Sequence, residues 1–523
     1  MIAKGGKFKA KNSDGKEMLF IITSEKDKTC SLGGSIWNER GIDKETTGPI
    51  VIPSKVEGYT VTEIGNCAFS DCSSITSVSL PSTLKKIRTR AFINCTSLTQ
   101  ITGYSNVEYV EESAFGNTPW YDGLPDGLIY IGRALYAYKG VIPDNTTIKI
   151  KEGTTCIANK ALYEHDRSGA RWSSNNGLVG IEIPASVNII GYDNAHWDDE
   201  NAYYWDSKSP RFFNSINLQS IVIDSNNKYY SSPENSNTIV EKSTGILIAA
   251  CNNAKIPSSV RAVSNEALSS IKGITSLNIP DNVEVFGGVQ YCQDLELITF
   301  GKNVRKIRQC YDNYMLKKIF VSPDNPYYDS RNDCNAVIEK STLKLIVGCA
   351  ATIIPEEVEE IPNLAFRGNG RKSTIKTIVI PDKVKKIGNG AFSGQTNLES
   401  VVIGRNVKEI EDNAFGGYNN KLMAVYSLND YPTEISEKAF LNDTYEQGTL
   451  YVPTGSVINY MGTIGWNKFK NIIEFDSATF DPSTLDINSI MMDSNESKTS
   501  IYNMQGQRLT APKKGINIIG GKK

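Results

Sequence analysis

Histidine is nearly missing from this chain: 523 residues contain two, His165 and His196. Acid–base and metal sites commonly draw on imidazole at neutral pH, so little material is left for one. Cysteine is also sparse. Ten in 523 residues is far from a disulfide-dense scaffold, and no Cys-x-x-Cys pair or paired Cys/His spacing suggests zinc. Neither sign of charge is in excess, with 56 basic and 58 acidic residues and a net charge of -2. A general nucleic-acid binder needs a basic surplus against phosphate, so nucleic acid is not an expected partner. No run of about eighteen apolar residues is present, which excludes a spanning helix. The first twenty residues are polar and lysine-rich, with no apolar core of signal-peptide length, so no export signal is expected within them.

What the chain does have is repetition. Ile64-Gly-Asn-Cys-Ala68-Phe69, Ile87-Arg-Thr-Arg-Ala91-Phe92 and Val110-Glu-Glu-Ser-Ala114-Phe115 align with their alanines 23 residues apart. The phrase returns as Ile387-Gly-Asn-Gly-Ala391-Phe392 and Ile410-Glu-Asp-Asn-Ala414-Phe415, again 23 apart, with weaker copies ending at Leu162, Leu268, Phe366 and Phe440. Between these phrases an apolar alternation closes on proline, as in Val78-Ser-Leu80-Pro81, Ile181-Glu-Ile183-Pro184, Leu277-Asn-Ile279-Pro280 and Ile378-Val-Ile380-Pro381. Alternation predicts a short strand with one buried face, and proline, lacking an N–H, stops it. One such repeat cannot enclose a core; about a dozen stacked ones bury a continuous apolar column. A longer duplication overlies the short one: residues 218–268 align on 316–366 with 19 identities in 51 positions. Each copy reads as a strand, an Asn/Pro turn and a hairpin around Lys-Ser-Thr, and Gly127 to Tyr138 is a shorter variant.

The run Ile75-Thr-Ser-Val-Ser-Leu-Pro81, with Leu84, Ile87, Ala91, Phe92 and Cys95, resembles BspA-type leucine-rich repeats, as found on surface proteins of Bacteroides-group bacteria. Leu450-Tyr-Val-Pro-Thr-Gly455 with Gly465-Trp466 is similar to that family's closing repeat, and Ile50-Val-Ile-Pro53 with Tyr59 to Gly65 to its opening one. The resemblance covers roughly residues 45–476; insertions at 164–177 and 191–213 and a blurred repeat at 283–310 depart from it. It implies a mostly β, right-handed leucine-rich repeat solenoid of short strands and turns, with inserted hairpins and end caps. It also implies an extracellular or cell-surface binding role, adhesion included, with no catalytic residues and no cofactor. Expected partners are a host extracellular protein, another bacterial surface or a glycan, met by a monomer. A structural spacer and, more remotely, a glycan hydrolase are the alternatives.

The domain reading is an N-terminal β cap at 1–44, the solenoid at 45–476, a polar linker at 477–499 and a β-hairpin tail at 500–523. That tail resembles the C-terminal segment of many exported proteins of gut and oral anaerobes; a plain hairpin is the other reading. Cys72 and Cys95 fall at one place in the repeat and read as packed, inert thiols. A two-residue turn after Lys340 would set Cys334 opposite Cys349, close enough for a disulfide. The insertion carrying His196, Trp197, Asp198, Asp199, Tyr203, Tyr204 and Trp205, with Arg171 and Trp172 one repeat earlier, offers rings and acids for a sugar or protein. The alternative is a surface loop covering core. Finally, if Val78 and Leu80 point inward, the outward positions of later strands hold Val222, Phe320, Val379 and Val402. Exposed apolar residues on a regular sheet mark a partner surface, or are covered by the hairpins.

Overall fold

The computed structural model describes residues 6–34, 39–165, 172–173, 176–191, 217–265, 267–313, 315–368, 375–482, 485, 501–503, 508–509 and 517–519. Two compact units are present, Met1–Ala254 and Lys255–Lys523.

In the first unit two columns of parallel strands run side by side. One contains Gly48–Val51, Ile75–Ser79 and Gln100–Thr102, with Ile50, Val78 and Ile101 in register. The other contains Tyr59–Ile64, Lys86–Ile87 and Tyr109–Val110, with Ile64, Ile87 and Val110 in register. The 23-residue period of the sequence is therefore the step from one coil to the next. Thr29–Leu32 joins the start of the second column in parallel and is preceded by the antiparallel strands Lys7–Lys11 and Glu17–Ser24. Further along the unit, Thr146–Lys149, Leu178–Ile183 and Ser220–Ile223 run parallel. Hairpins occur at Gly127–Ile131 with Ala134–Lys139 and at Thr238–Glu241 with Ile246–Ala250.

The second unit repeats the plan. Ser276–Ile279, Leu297–Phe300 and Lys318–Val321 are parallel. After the hairpin Ala336–Glu339 with Lys344–Gly348, five parallel strands follow: Thr377–Ile380, Ser400–Ile403, Ala424–Ser427, Thr449–Pro453 and Asn471–Phe475. Asn517–Ile519 then pairs in parallel with Asn471–Phe475. The blurred stretch still forms coils, through Val285–Gly288 and Lys306–Gln309.

The alanine–phenylalanine phrase has a physical reason at each position. The residue before alanine is left-handed in every strong copy: φ is 54° at Cys67, 56° at Arg90, 57° at Ser113, 60° at Gly390 and 55° at Asn413. After that turn the alanine and the phenylalanine are both fully buried. The phenylalanine rings then stack between coils. Centroids of Phe69 and Phe92 lie 4.8 Å apart, those of Phe366 and Phe392 4.8 Å, of Phe392 and Phe415 5.2 Å, and of Phe415 and Phe440 5.0 Å. Backbone bonds pin each ring: Phe92 N donates to Ala114 O at 2.7 Å and Phe392 N to Ala414 O at 2.8 Å. At Gly390 an added Cβ would meet Leu364 Cδ2 at 2.9 Å. Because a left-handed residue with a Cβ costs roughly 1–2 kcal/mol, Gly390→Val is expected to destabilise the second unit by about that much in urea denaturation. No loss would mean the turn tolerates a branched residue.

The duplicated hairpins follow two buried asparagines that the sequence reading passed over. Asn227 Nδ2 donates to Pro184 O and Val187 O at 2.9 and 3.0 Å, while its Oδ1 accepts from Tyr229 N and Tyr230 N. Asn325 does the same with Gly301 O, Val304 O, Tyr327 N and Tyr328 N. Both are fully used, which is what burial of an amide requires. The lysine of each Lys-Ser-Thr caps the turn: Lys242 and Lys340 donate to the carbonyls of Asn227 and Asn325 at 2.5 Å.

Candidate binding surface

The inner positions of the parallel strands are buried, so any surface chemistry of the sheets lies in their outward rows. In the first unit one row is Val51, Ser79 and Thr102, and another sets Glu182 beside Val222. In the second, Asn278, Thr299 and Phe320 share a row. Val222, Phe320 and Val379 are 53%, 49% and 41% exposed, as expected of outward apolar positions.

Val402 departs from that expectation: it is 0% exposed. It sits in register between Val379 and Tyr426, and residues beyond the last repeat run over this face. Phe480 stacks on Tyr426 with centroids 4.9 Å apart, and Thr377 Oγ1 donates to Leu485 O at 3.5 Å. Val402, between these two contacts in the row, lies out of water.

His196, Trp197, Asp198, Asp199, Tyr203, Tyr204, Trp205 and Arg171 lie outside the described residues. Of the earlier insertion the backbone is described at Glu164–His165 and Trp172–Ser173, which pair antiparallel with His165 opposite Trp172.

The disulfide expectation is corrected. The hairpin starts in the anticipated register, Glu339 opposite Lys344 and Ile338 opposite Leu345, but a bulge at Val337 shifts it by one, so Ala336 faces Gly348. Cys334 and Cys349 are both free and buried. Cys349 Sγ donates instead to Asn335 O at 3.3 Å. A reductant is therefore expected to leave the thermal midpoint unchanged, and thiol titration of unfolded, unreduced protein to find all ten cysteines. Two fewer would restore the bond.

The repeat cysteines are hydrogen-bond donors between coils. Cys95 Sγ donates to Phe69 O at 3.0 Å, and Cys292 Sγ to Leu268 O at 3.1 Å. The same slot holds Gln395, whose amide donates to Phe366 O, and Asn419, which donates to Phe392 O at 2.9 Å. Counting three residues from Phe415 points to Tyr418, but the turn is one residue longer there and Asn419 takes the slot, leaving Tyr418 exposed. Burial pushes the Cys72 thiol up to about 11 and Cys292 to about 12, and raises Cys95 further. Thiols so protonated are poor nucleophiles.

Two concavities in the second unit bear on catalysis. One, about 40 Å³, is lined by Cys310, Asp312, Asn313, Cys349 and Arg367 among others, and holds little more than water. Burial raises the Asp312 carboxyl, with Arg367 Nε 3.9 Å away opposing the shift. The other is an open groove of about 580 Å³ with Arg261, Glu284, Arg305 and Tyr327 on its walls. Each has one carboxylate in its lining, whereas glycoside hydrolysis uses a pair. Among the described residues no helix is long and apolar enough to cross a membrane.

Short parallel strands stacked coil on coil, with rings and inter-coil donors along the axis, define a repeat solenoid. The BspA type leucine rich repeat region matches in six copies over residues 50–139, 212–330 and 337–461, and the chain belongs to that family. No curated protein matches it. Among solved structures it is similar to a leucine-rich repeat protein from Eubacterium ventriosum, with 18% identity, 83% of this chain and 98% of that one covered, and a TM-score of 0.35. A leucine rich cell surface protein from Faecalibacterium prausnitzii is similar at 20% identity, with 81% and 96% covered and a TM-score of 0.31. The pneumococcal vaccine antigen PcpA follows at 16% identity, with 91% and 100% covered and a TM-score of 0.31.

Proposed function

We propose that this protein is a non-enzymatic binding protein on the exterior of a bacterium of the Bacteroides group, engaging a host extracellular protein, a glycan or another bacterial surface through its outward sheet rows and the aromatic insertion at 193–206. The observation that carries the reading is the exposure of Val222, Phe320 and Val379 on otherwise regular sheets. An apolar side chain on a flat sheet gains little for the fold and supplies area to a partner. The acidic, aromatic composition of the insertion adds chemistry suited to sugars or polar protein surface.

The test is a screen of the purified chain against arrayed host glycans and extracellular-matrix proteins. A saturable hit weakened at least five-fold by Phe320→Ser or by deletion of residues 193–206, with the thermal midpoint unchanged, supports the reading. A hit indifferent to both changes removes these surfaces as the site, and no hit at all favours the spacer.

A further inference from the structure

The sheet that closes the second unit has an outward row unlike the others. Register places Val379, Val402, Tyr426, Tyr451 and Ile473 side by side across five parallel strands. This row is apolar from end to end, whereas the other rows carry Ser79 and Thr102 or Asn278 and Thr299. The rings of Tyr426 and Tyr451 stack at 4.3 Å and 8°. Onto them comes Phe480, stacked on Tyr426 at 17° and edge-on to Phe475 at 5.0 Å.

Phe480 is presented by a local turn. The Asp476 carboxylate accepts from Ala478 N and from Thr479 Oγ1, both at 3.0 Å. Among the described residues, no backbone-to-backbone hydrogen bond joins residues 476–480 to the sheet. The segment meets the face through the ring of Phe480, and beyond it Leu485 O accepts from Thr377 Oγ1 on the first strand of the sheet. It also leaves one end of the row uncovered, since Val379 remains 41% exposed. A competing segment that reaches Val379 as well would bury apolar area that residues 476–482 do not.

We propose that this row is a recognition face for an extended peptide segment bearing an aromatic residue, and that residues 476–482 occupy it as an internal competitor which such a partner displaces. The inference rests on the reading of the outward sheet rows as binding surfaces. It adds the partner chemistry, a peptide with a ring to stack on Tyr426, and a form of regulation. A tethered competitor acts at an effective concentration in the millimolar range, so a partner must bind well before it displaces the strap.

The experiment uses the full chain and a fluorescein-labelled synthetic copy of residues 474–485 as probe, read by anisotropy. Phe480→Ala is expected to bind the probe at least ten-fold more tightly than the unaltered chain, because the internal ring no longer competes. Adding Tyr426→Leu, which keeps an apolar residue but removes the ring, is expected to reverse most of that gain. Hydrogen exchange at Leu450 and Ile472 checks that both variants keep the sheet. Equal probe affinity in the unaltered and Phe480→Ala chains, or a Phe480→Ala gain that survives Tyr426→Leu, overturns the proposal. A failed glycan and matrix screen beside a positive probe result would sink the functional reading alone. A Phe320-dependent hit beside a negative probe result would sink this inference alone.

Discussion

Phe392→Ala is expected to lower the stability of the second unit by about 3–5 kcal/mol, the upper range for loss of a buried ring. Phe392 is fully buried between Phe366 at 4.8 Å and Phe415 at 5.2 Å. The cost is high because the cavity cannot close. Phe366 N is tied to Ala391 O and Phe415 N to Ala439 O, each at 2.8 Å, so the neighbouring rings are held at their own coil heights. Repeat stability is a sum of coil terms and nearest-neighbour terms, and this substitution weakens two interfaces at once. Hydrogen exchange should show protection falling first over residues 366–440, with the core of Phe69 and Phe92 in the first unit unaffected. A loss under about 1 kcal/mol would show that the stack relaxes and that the rings are not its main support.

Arg88→Ala carries the second large effect. The Arg88 side chain is 14% exposed and ties three coils together. Its Nε and Nη2 donate to the Glu63 carboxylate at 3.0 Å, and its Nη1 donates to Glu111 at 2.9 Å. Glu111 also accepts from Tyr109 Oη, Thr89 N and Thr89 Oγ1 at 2.8, 2.8 and 2.6 Å. Removing the guanidinium leaves two largely buried carboxylates facing one vacated site, which costs about 3–5 kcal/mol. The diagnostic is non-additivity. Adding Glu111→Gln to Arg88→Ala should recover part of the loss, because it removes one of the stranded charges. Arg88→Lys should fall short of native stability, since an ammonium cannot reproduce the forked geometry. If denaturation shows the double variant weaker than Arg88→Ala alone, Glu111 is held by its other donors and the guanidinium is not the organising charge.

Much of this architecture was legible because its rules are local. Alternation ending at proline, as at Val78 to Pro81, marks strands by pleat alone. The recurring Ala-Phe phrase marks the left-handed turn and the axial ring, which are set by the few residues around them. Even the blurred stretch obeyed, with Cys292 supplying the inter-coil donor that Cys95 supplies earlier. Asn227 and Asn325 could have been found as well: the duplication keeps the asparagine two residues before the exposed tyrosine in both copies. Its burial is not legible there, because a buried amide and an exposed one look alike in a sequence.

The residues of one coil by themselves determined the repeat period, the strand positions, the buried phenylalanine column and the family. Each of these depends on neighbours within one coil or the next, and the chain writes that pattern many times. Only the tertiary structure decided that Cys334 and Cys349 stay apart, because a bulge at Val337 moves the register by one residue, and one residue is the whole difference between facing and passing. Only it decided that Val402 is buried while Val222, Phe320 and Val379 face water. Outward or inward follows from pleat, which is local; covered or open depends on contacts between more distant parts of the chain, such as that of Phe480 with Tyr426, which no periodicity encodes.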